Sequence, residues 1–289
     1  MTTTTATHRG FWYRHPRLRL GGLLTAPMAW LVVVYLGSLA ALFLTAFYQI
    51  DDFTGQVVKT FTLKNFSTLF TTSSYYQSVF RTISIALLVT ALCLVIALPL
   101  AFFMARVAPR HWRPIMVALV LTPLWASYLV KVYAWRAMLQ PESGVLAWFL
   151  NPLGLDGPGY GYLGIVITLT YLWLPYMILP IYAGLTRLPD SMLDASADLG
   201  AHSGRTFRSV VVPLIFPSVV AGSIFTFSLS LGDYITAQIV GGKVTMLGNV
   251  VQQTYVTNLP FAAAVATLPV IIILLYLLAV RKTGALENV

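Results

Sequence analysis

Long apolar runs separated by short polar stretches dominate the chain. Residues 27–48, 82–105, 157–186, 209–232 and 259–280 carry no charged side chain, and residues 115–139 carry only Lys131 and Arg136. Each of these six runs reaches or exceeds the roughly 20 residues that a helix needs to cross a bilayer core. Transmembrane strands would be about half as long and would alternate apolar with polar positions, which these runs do not. The pattern predicts an all-α membrane protein with six transmembrane helices.

The polar stretches between the runs give an orientation. The N-terminal tail holds Arg9, Arg14, Arg17 and Arg19, and the second connection holds Arg106, Arg110 and Arg113. The fourth connection holds Arg187, Arg205 and Arg208, and the C-terminal tail holds Arg281 and Lys282. In a six-span chain all four regions lie on one side, and the positive-inside rule makes that side cytoplasmic, with both termini. The other side carries Asp51, Asp52, Glu142 and Asp156. The expected layout is a cytoplasmic tail (1–21), a first span with its outer loop (22–74), a membrane core (75–281) and a cytoplasmic tail (282–289). The outer loop at 51–74 is expected to carry a short surface helix, and the connection at 140–162 to be turn-rich. Residues 233–258 mix polar and apolar positions around Gly241-Gly242 and read as a broken or re-entrant segment.

Composition agrees with the pattern. Hydrophobic residues make up 58% of the 289 and charged ones 9%, against about 25% charged in a soluble domain. The net charge of +9 therefore reports topology and no nucleic-acid surface, since the basic residues form no aromatic-interleaved patch on a soluble domain. The first apolar run exceeds the about 7–15 residues of a signal-peptide core and reads as an uncleaved span. The single cysteine, Cys93, lies inside the second run as a small apolar residue.

One stretch departs from the plain basic loops. Residues 188–218 read LPDSMLDASADLGAHSGRTFRSVVVPLIFPS and hold Asp190, Asp194 and Asp198, three of the nine acidic residues. Spaced four apart, they share one helix face. Asp190 suits a helix N-cap, Gly200 a left-handed C-terminal position, and Ser203 the cap of a second helix leading into the fifth span. The helix would offer carboxylates on one face and Met192, Leu193, Ala195, Ser196 and Leu199 on the other. A helix resting on anionic lipid is normally basic on its polar face, so an acidic one reads as a docking surface for a soluble partner.

These residues resemble the cytoplasmic loop of the integral-membrane permeases of bacterial ABC importers. That loop has the form E-A-A, three residues, G, nine residues, then I-x-L-P. Here Asp194-Ala195-Ser196 is followed by three residues, Gly200, nine residues and Val210-Val211-Val212-Pro213. Aspartate replaces glutamate, serine the second alanine, and valine both aliphatic residues. The resemblance covers roughly residues 75–281. Within the family, PLWASYLVKVYAWRAML, YLWLPYMILPIYAGL and IVGGKVTMLGNVVQQTY with LPFAAAVAT are most similar to spermidine/putrescine permeases; permeases for iron, sulfate, thiamine and phosphonate share the architecture. The resemblance implies a bacterial inner-membrane subunit that forms half of a pore with a second, related permease. It also implies an extracytoplasmic substrate-binding protein and an ATPase dimer, which would hold the ATP and magnesium. Asp194, Ala195, Ser196, Asp198, Leu199 and Gly200, within a loop at 187–212, would form the coupling helix that meets the ATPase.

The residues carry no complete enzyme. GlyGlyLys at 241–243 lacks the first glycine and the Ser/Thr of a phosphate-binding loop, and no metal-ligand cluster is spaced for a cofactor. His8, His15, His111 and His202 lie in or near the inner polar regions and read as interfacial. Charged residues within spans usually face a cavity or a partner. Pathway candidates are therefore Asp233, Tyr234, Lys131, Trp135 and Tyr171, within an aromatic set that includes Trp125, Tyr128, Tyr133 and Trp173. Two readings stay open at this stage. Aromatic faces with Asp233 would suit an ammonium substrate. Lys131 and Arg136 would suit an anion, a structural pairing with Asp233 or Glu142, or simple snorkelling to the outer surface. The rivals to a permease are an ion-coupled secondary carrier and a membrane scaffold.

Overall fold

The computed structural model describes residues 16–51 and 53–281. The tails at 1–15 and 282–289 and Asp52 lie outside the described residues, and with them His8, Arg9, Arg14, His15 and Lys282.

Five helices are continuous, long and apolar enough to cross a membrane: α1 (Leu24–Thr45), α3 (Ser73–Val107), α7 (Tyr162–Arg187), α9 (Ser203–Leu231) and α12 (Leu259–Arg281). The predicted third span, 115–139, is not continuous. It is two helices, α4 (Arg113–Trp125) and α5 (Tyr128–Met138), which meet at 91°. Pro123, near the end of α4, lacks a backbone N–H, and its ring crowds the carbonyl one turn back. The chain leaves the helix at Ala126 and Ser127, both with extended ψ near 140°. Apolar periodicity alone did not reveal the break because both halves are apolar.

Shorter elements join the spans. After α1 the chain forms a small antiparallel hairpin, β1 (Gln49–Ile50) with β2 (Val57–Val58), pairing Gln49 with Val58 and Ile50 with Val57. The all-α expectation missed it, since two-residue strands leave no period to read. The Asp51 carboxylate closes the turn by accepting the backbone N–H groups of Phe53 (2.8 Å) and Thr54 (3.2 Å). These bonds to the charged form hold its pKa below the ordinary carboxylate value. The expected surface helix is α2 (Lys64–Thr71). Asn65 ties it to the end of α1 through the carbonyls of Ala46 (2.9 Å) and Tyr48 (2.7 Å). The connection at 140–162 carries α6 (Val145–Leu150) and a 3₁₀ turn. The segment at 233–258 is broken, as expected, into α10 (Ile235–Val240) and α11 (Leu247–Thr254).

The core is a triple packing of α3, α7 and α9, with α7 the most enclosed span. It is filled by residues such as Ile85, Val89, Ile165, Leu169, Ile178 and Ile215. In a bilayer no hydrophobic force separates helix faces from lipid tails, so close backbone approach over small residues supplies much of the contact. Gly222 of α9 lies against Met177 of α7, where an added Cβ would stand 2.8 Å from the sulfur and 3.2 Å from the Cα. By contrast, α1 buries none of its apolar span within the chain and touches α12 mainly at its last turns.

Candidate functional site

The acidic stretch folds as α8 (Asp190–Asp198), which turns sharply into α9. The elbow is a Schellman turn. Gly200 adopts φ +74°, its N–H donates to the Ala197 carbonyl (2.8 Å), and the Ala201 N–H donates to the Ser196 carbonyl (3.1 Å). The sequence placed a left-handed glycine there for this reason. Two expected caps are corrected. Asp190 is the first helical residue after an extended Pro189 and makes no cap, because its side chain is drawn to Arg106 instead. Ser203 is likewise already helical, with His202 in the cap position and no side-chain cap bond. His202 and His111 are exposed.

The proposed docking residues are not all on one surface. Asp194, Ala195, Asp198 and Gly200 are exposed, and Leu199 is 88% exposed. Ser196, grouped with these residues by sequence, is buried within the chain. Its hydroxyl bonds to that of Thr206 (2.9 Å) and holds α8 against the start of α9. Asp194 and Asp198 make no ion pair among the described residues, where the one pair is Arg106–Asp190.

The second group of candidates lies where α9 gives way to α10. Asp233 is 7% exposed. Its Oδ2 accepts from the hydroxyls of Tyr128 and Thr236 (3.1 Å for the latter), and its Oδ1 accepts the Thr236 backbone N–H (2.8 Å) at the start of α10. Pairing of Lys131 or Arg136 with Asp233 or Glu142 is overturned. None of the four forms an ion pair among the described residues, and Arg136 lies over the Tyr160 ring at 5.9 Å. The 91° break explains the difference: it puts the first residue of α5, Tyr128, beside Asp233.

Asp233 and Tyr234 line an open cavity of about 300 Å³ together with Tyr128, Trp173 and Ser228. Tyr128 stacks near Trp173 (centroids 6.1 Å apart), whose buried Nε1–H has no partner among the protein atoms. Trp135 and Tyr171 pack against each other at 5.4 Å but do not line this cavity, nor does the partly buried Lys131. Tyr128 and Trp173, which line the cavity, and Thr236, which holds Asp233, were not among the pathway candidates. The first two were visible only as members of a crowded aromatic set.

The model of the family described as "Binding-protein-dependent transport system inner membrane component" matches residues 97–282. The chain belongs to that family. It is a multi-pass inner-membrane protein of bacterial type, a permease subunit of an ABC importer, and not itself an enzyme. The chain is 43% identical to the inner membrane ABC transporter permease protein YdcU of Escherichia coli strain K12, over 96% of this chain and 94% of that one. It is 31% identical to the spermidine/putrescine transport system permease protein PotB of the same strain, over 90% and 96%. A crystal structure of a bacterial ABC transporter involved in import of the acidic polysaccharide alginate superposes with a TM-score of 0.68 at 16% identity, covering 94% of this chain and 98% of that one. At that identity the last match speaks for the permease fold alone. Family membership sets aside the secondary-carrier and scaffold readings.

Proposed function

We propose that this permease carries polyamines such as spermidine and putrescine inward. It would form half of a pore with a second, related permease in the lipid bilayer. Counting the bent pair α4–α5 as one, six spans cross the membrane, with both termini and α8 on the cytoplasmic side. An ATPase dimer docks on α8 and on its counterpart from the second permease. ATP-driven closure of the dimer draws the two coupling helices together and opens the pore outward. A binding protein then delivers substrate, and hydrolysis restores the inward-facing state. The contacts to the ATPase come from Asp194, Ala195, Asp198, Leu199 and Gly200, with Ser196 holding the helix in place.

One observation carries the polyamine reading: the 31% identity, over nine-tenths of the chain, to a relative named for spermidine and putrescine. The cavity beside α10 supports it. A carboxylate, Asp233, stands among the faces of Tyr128, Trp173 and Tyr234, and aromatic faces with a carboxylate attract ammonium groups. Its engagement by Tyr128 and Thr236 keeps the site weak, as passage demands. Trp135 and Tyr171 would then belong to another level of the path or to the membrane interface. A second reading, a permease for another small solute, is favoured by the 43% identical relative, whose name carries no substrate.

The test is uptake. The chain, co-expressed with the second permease and the ATPase and reconstituted with the binding protein, is expected to import labelled putrescine only when ATP is supplied on the ATPase side. A working ATPase that responds to another loaded binding protein and ignores polyamines sinks the substrate assignment. Orientation is tested separately. With Cys93 replaced, a cysteine at the exposed hairpin position Gly55 is expected to react with an impermeant thiol reagent added to intact cells, and one at Arg110 to stay unlabelled. The reverse pattern would overturn the placement of α8.

A further inference from the structure

The end of α3 carries an interaction that stability alone does not explain. Arg106, in the π-helical turn Phe103–Val107 that finishes α3, points at the junction between α7 and α8. Its Nη2 donates to the carbonyls of Leu185 (2.8 Å) and Leu188 (2.6 Å), at the end of α7. Its Nη1 pairs with Asp190 Oδ1 (2.5 Å), at the first residue of α8. One guanidinium thus joins three helices.

The two halves of this fork do different work. The last carbonyls of a helix have no partner within it, and a cation near them also meets the negative end of the helix dipole. Either long basic side chain would serve that end. The Asp190 side chain, by contrast, is 81% exposed, and an exposed ion pair adds little to stability. What it does contribute is geometry. A planar guanidinium with separate nitrogens holds the carboxylate and the two carbonyls at fixed relative positions, which the single point charge of lysine does not. The far end of α8 is anchored too, through Ser196 and Thr206 to α9. Phe102 and Phe207 close the remaining gap by packing α3 edge-on against α9 (centroids 5.6 Å apart).

We propose that Arg106 is a positioning residue that makes α8 move as one piece with α3 and α7, so that displacement of α8 by the ATPase reaches the spans and is not absorbed at the Leu188–Pro189 joint. The inference rests on the proposed role of α8 as the coupling helix. In the sequence Arg106 stands only as a topological charge, because its partners lie about eighty residues further on.

The readout is the amount of ATP hydrolysed per labelled putrescine imported by the reconstituted complex, normalised to the ATPase retained on purification. A residue serving only assembly would lower the amount of complex and leave this ratio unchanged. Arg106→Lys is expected to raise the ratio at least about fivefold, the lower end of ordinary coupling between sites. Asp190→Asn, which removes only the exposed arm, is expected to raise it less, in the same direction. Wild-type ratios in both overturn the clamp. If Arg106→Lys fails to accumulate, Asp190→Asn alone decides: a raised ratio upholds the clamp and a wild-type ratio overturns it. Gly200→Val keeps the two readings apart. Loss of transport in Gly200→Val beside a normal Arg106→Lys removes the clamp and leaves the coupling helix standing, whereas normal transport in both removes the coupling assignment itself.

Discussion

Gly200→Val is expected to abolish ATP-driven uptake while the chain remains in the membrane. The reason is conformational and not steric. Gly200 sits at φ +74°, and an added Cβ would meet no other atom within 4 Å. The left-handed region costs a residue with a Cβ about 1–2 kcal/mol, and a β-branched side chain is the least tolerant of it. The chain can keep the turn and carry that strain. It can also relax to negative φ and lose the two Schellman bonds, from Gly200 to Ala197 and from Ala201 to Ser196. Relaxation re-aims α8 relative to α9 and pulls Ser196 from Thr206. Because the elbow lies outside the α3–α7–α9 core, the spans should still assemble. Asparagine, which tolerates the left-handed region, is expected to retain most of the transport that valine loses. The measurements are uptake in vesicles, ATPase co-purification and membrane content. Normal uptake by the valine variant would show that the elbow does not transmit ATPase movement.

Asp233→Asn is expected to slow polyamine uptake by about tenfold or more, since a hydrogen bond to a charged group contributes about 1.5–3 kcal/mol. Asparagine keeps the shape, and the network around it can rewire. The side-chain oxygen still accepts the Thr236 N–H, and the new amide donates to the hydroxyls of Tyr128 and Thr236, which rotate to accept. Charge is then the main loss. Asp233→Ala should behave differently. It strands the Thr236 N–H, at about 1–3 kcal/mol for an unpaired buried group, while the Tyr128 hydroxyl keeps only the Thr236 hydroxyl (2.8 Å), and it should reduce the protein found in the membrane. Neutralising Lys131 or Arg136 is not expected to rescue either variant, because neither residue pairs with Asp233. Unchanged putrescine uptake by Asp233→Asn at normal protein levels would reject the cation site and leave Asp233 as a pin between α5 and α10.

The elements that the sequence determined are those fixed by local chemistry and length. Apolar runs of span length gave five continuous helices, since a backbone in lipid must satisfy its hydrogen bonds within the segment, although α3 begins at Ser73, well before its uncharged run at 82–105. A glycine after a short polar helix gave the left-handed turn at Gly200, and the spacing from Asp194 to Pro213 gave the family. Mixed polarity gave the broken segment at 233–258. The tertiary structure decided whatever depends on residues far apart in the chain. The 91° break between Trp125 and Tyr128 is invisible to hydropathy, yet it brings Tyr128 to Asp233 across 105 positions. Arg106 looked like one basic residue among several until the fold set the end of α7 and the start of α8 beside it. Ser196 looked available to a partner until the elbow closed it against Thr206. Hydropathy and turn propensity act over one or two helical turns, whereas the partner of a buried charge is chosen by which spans pack together.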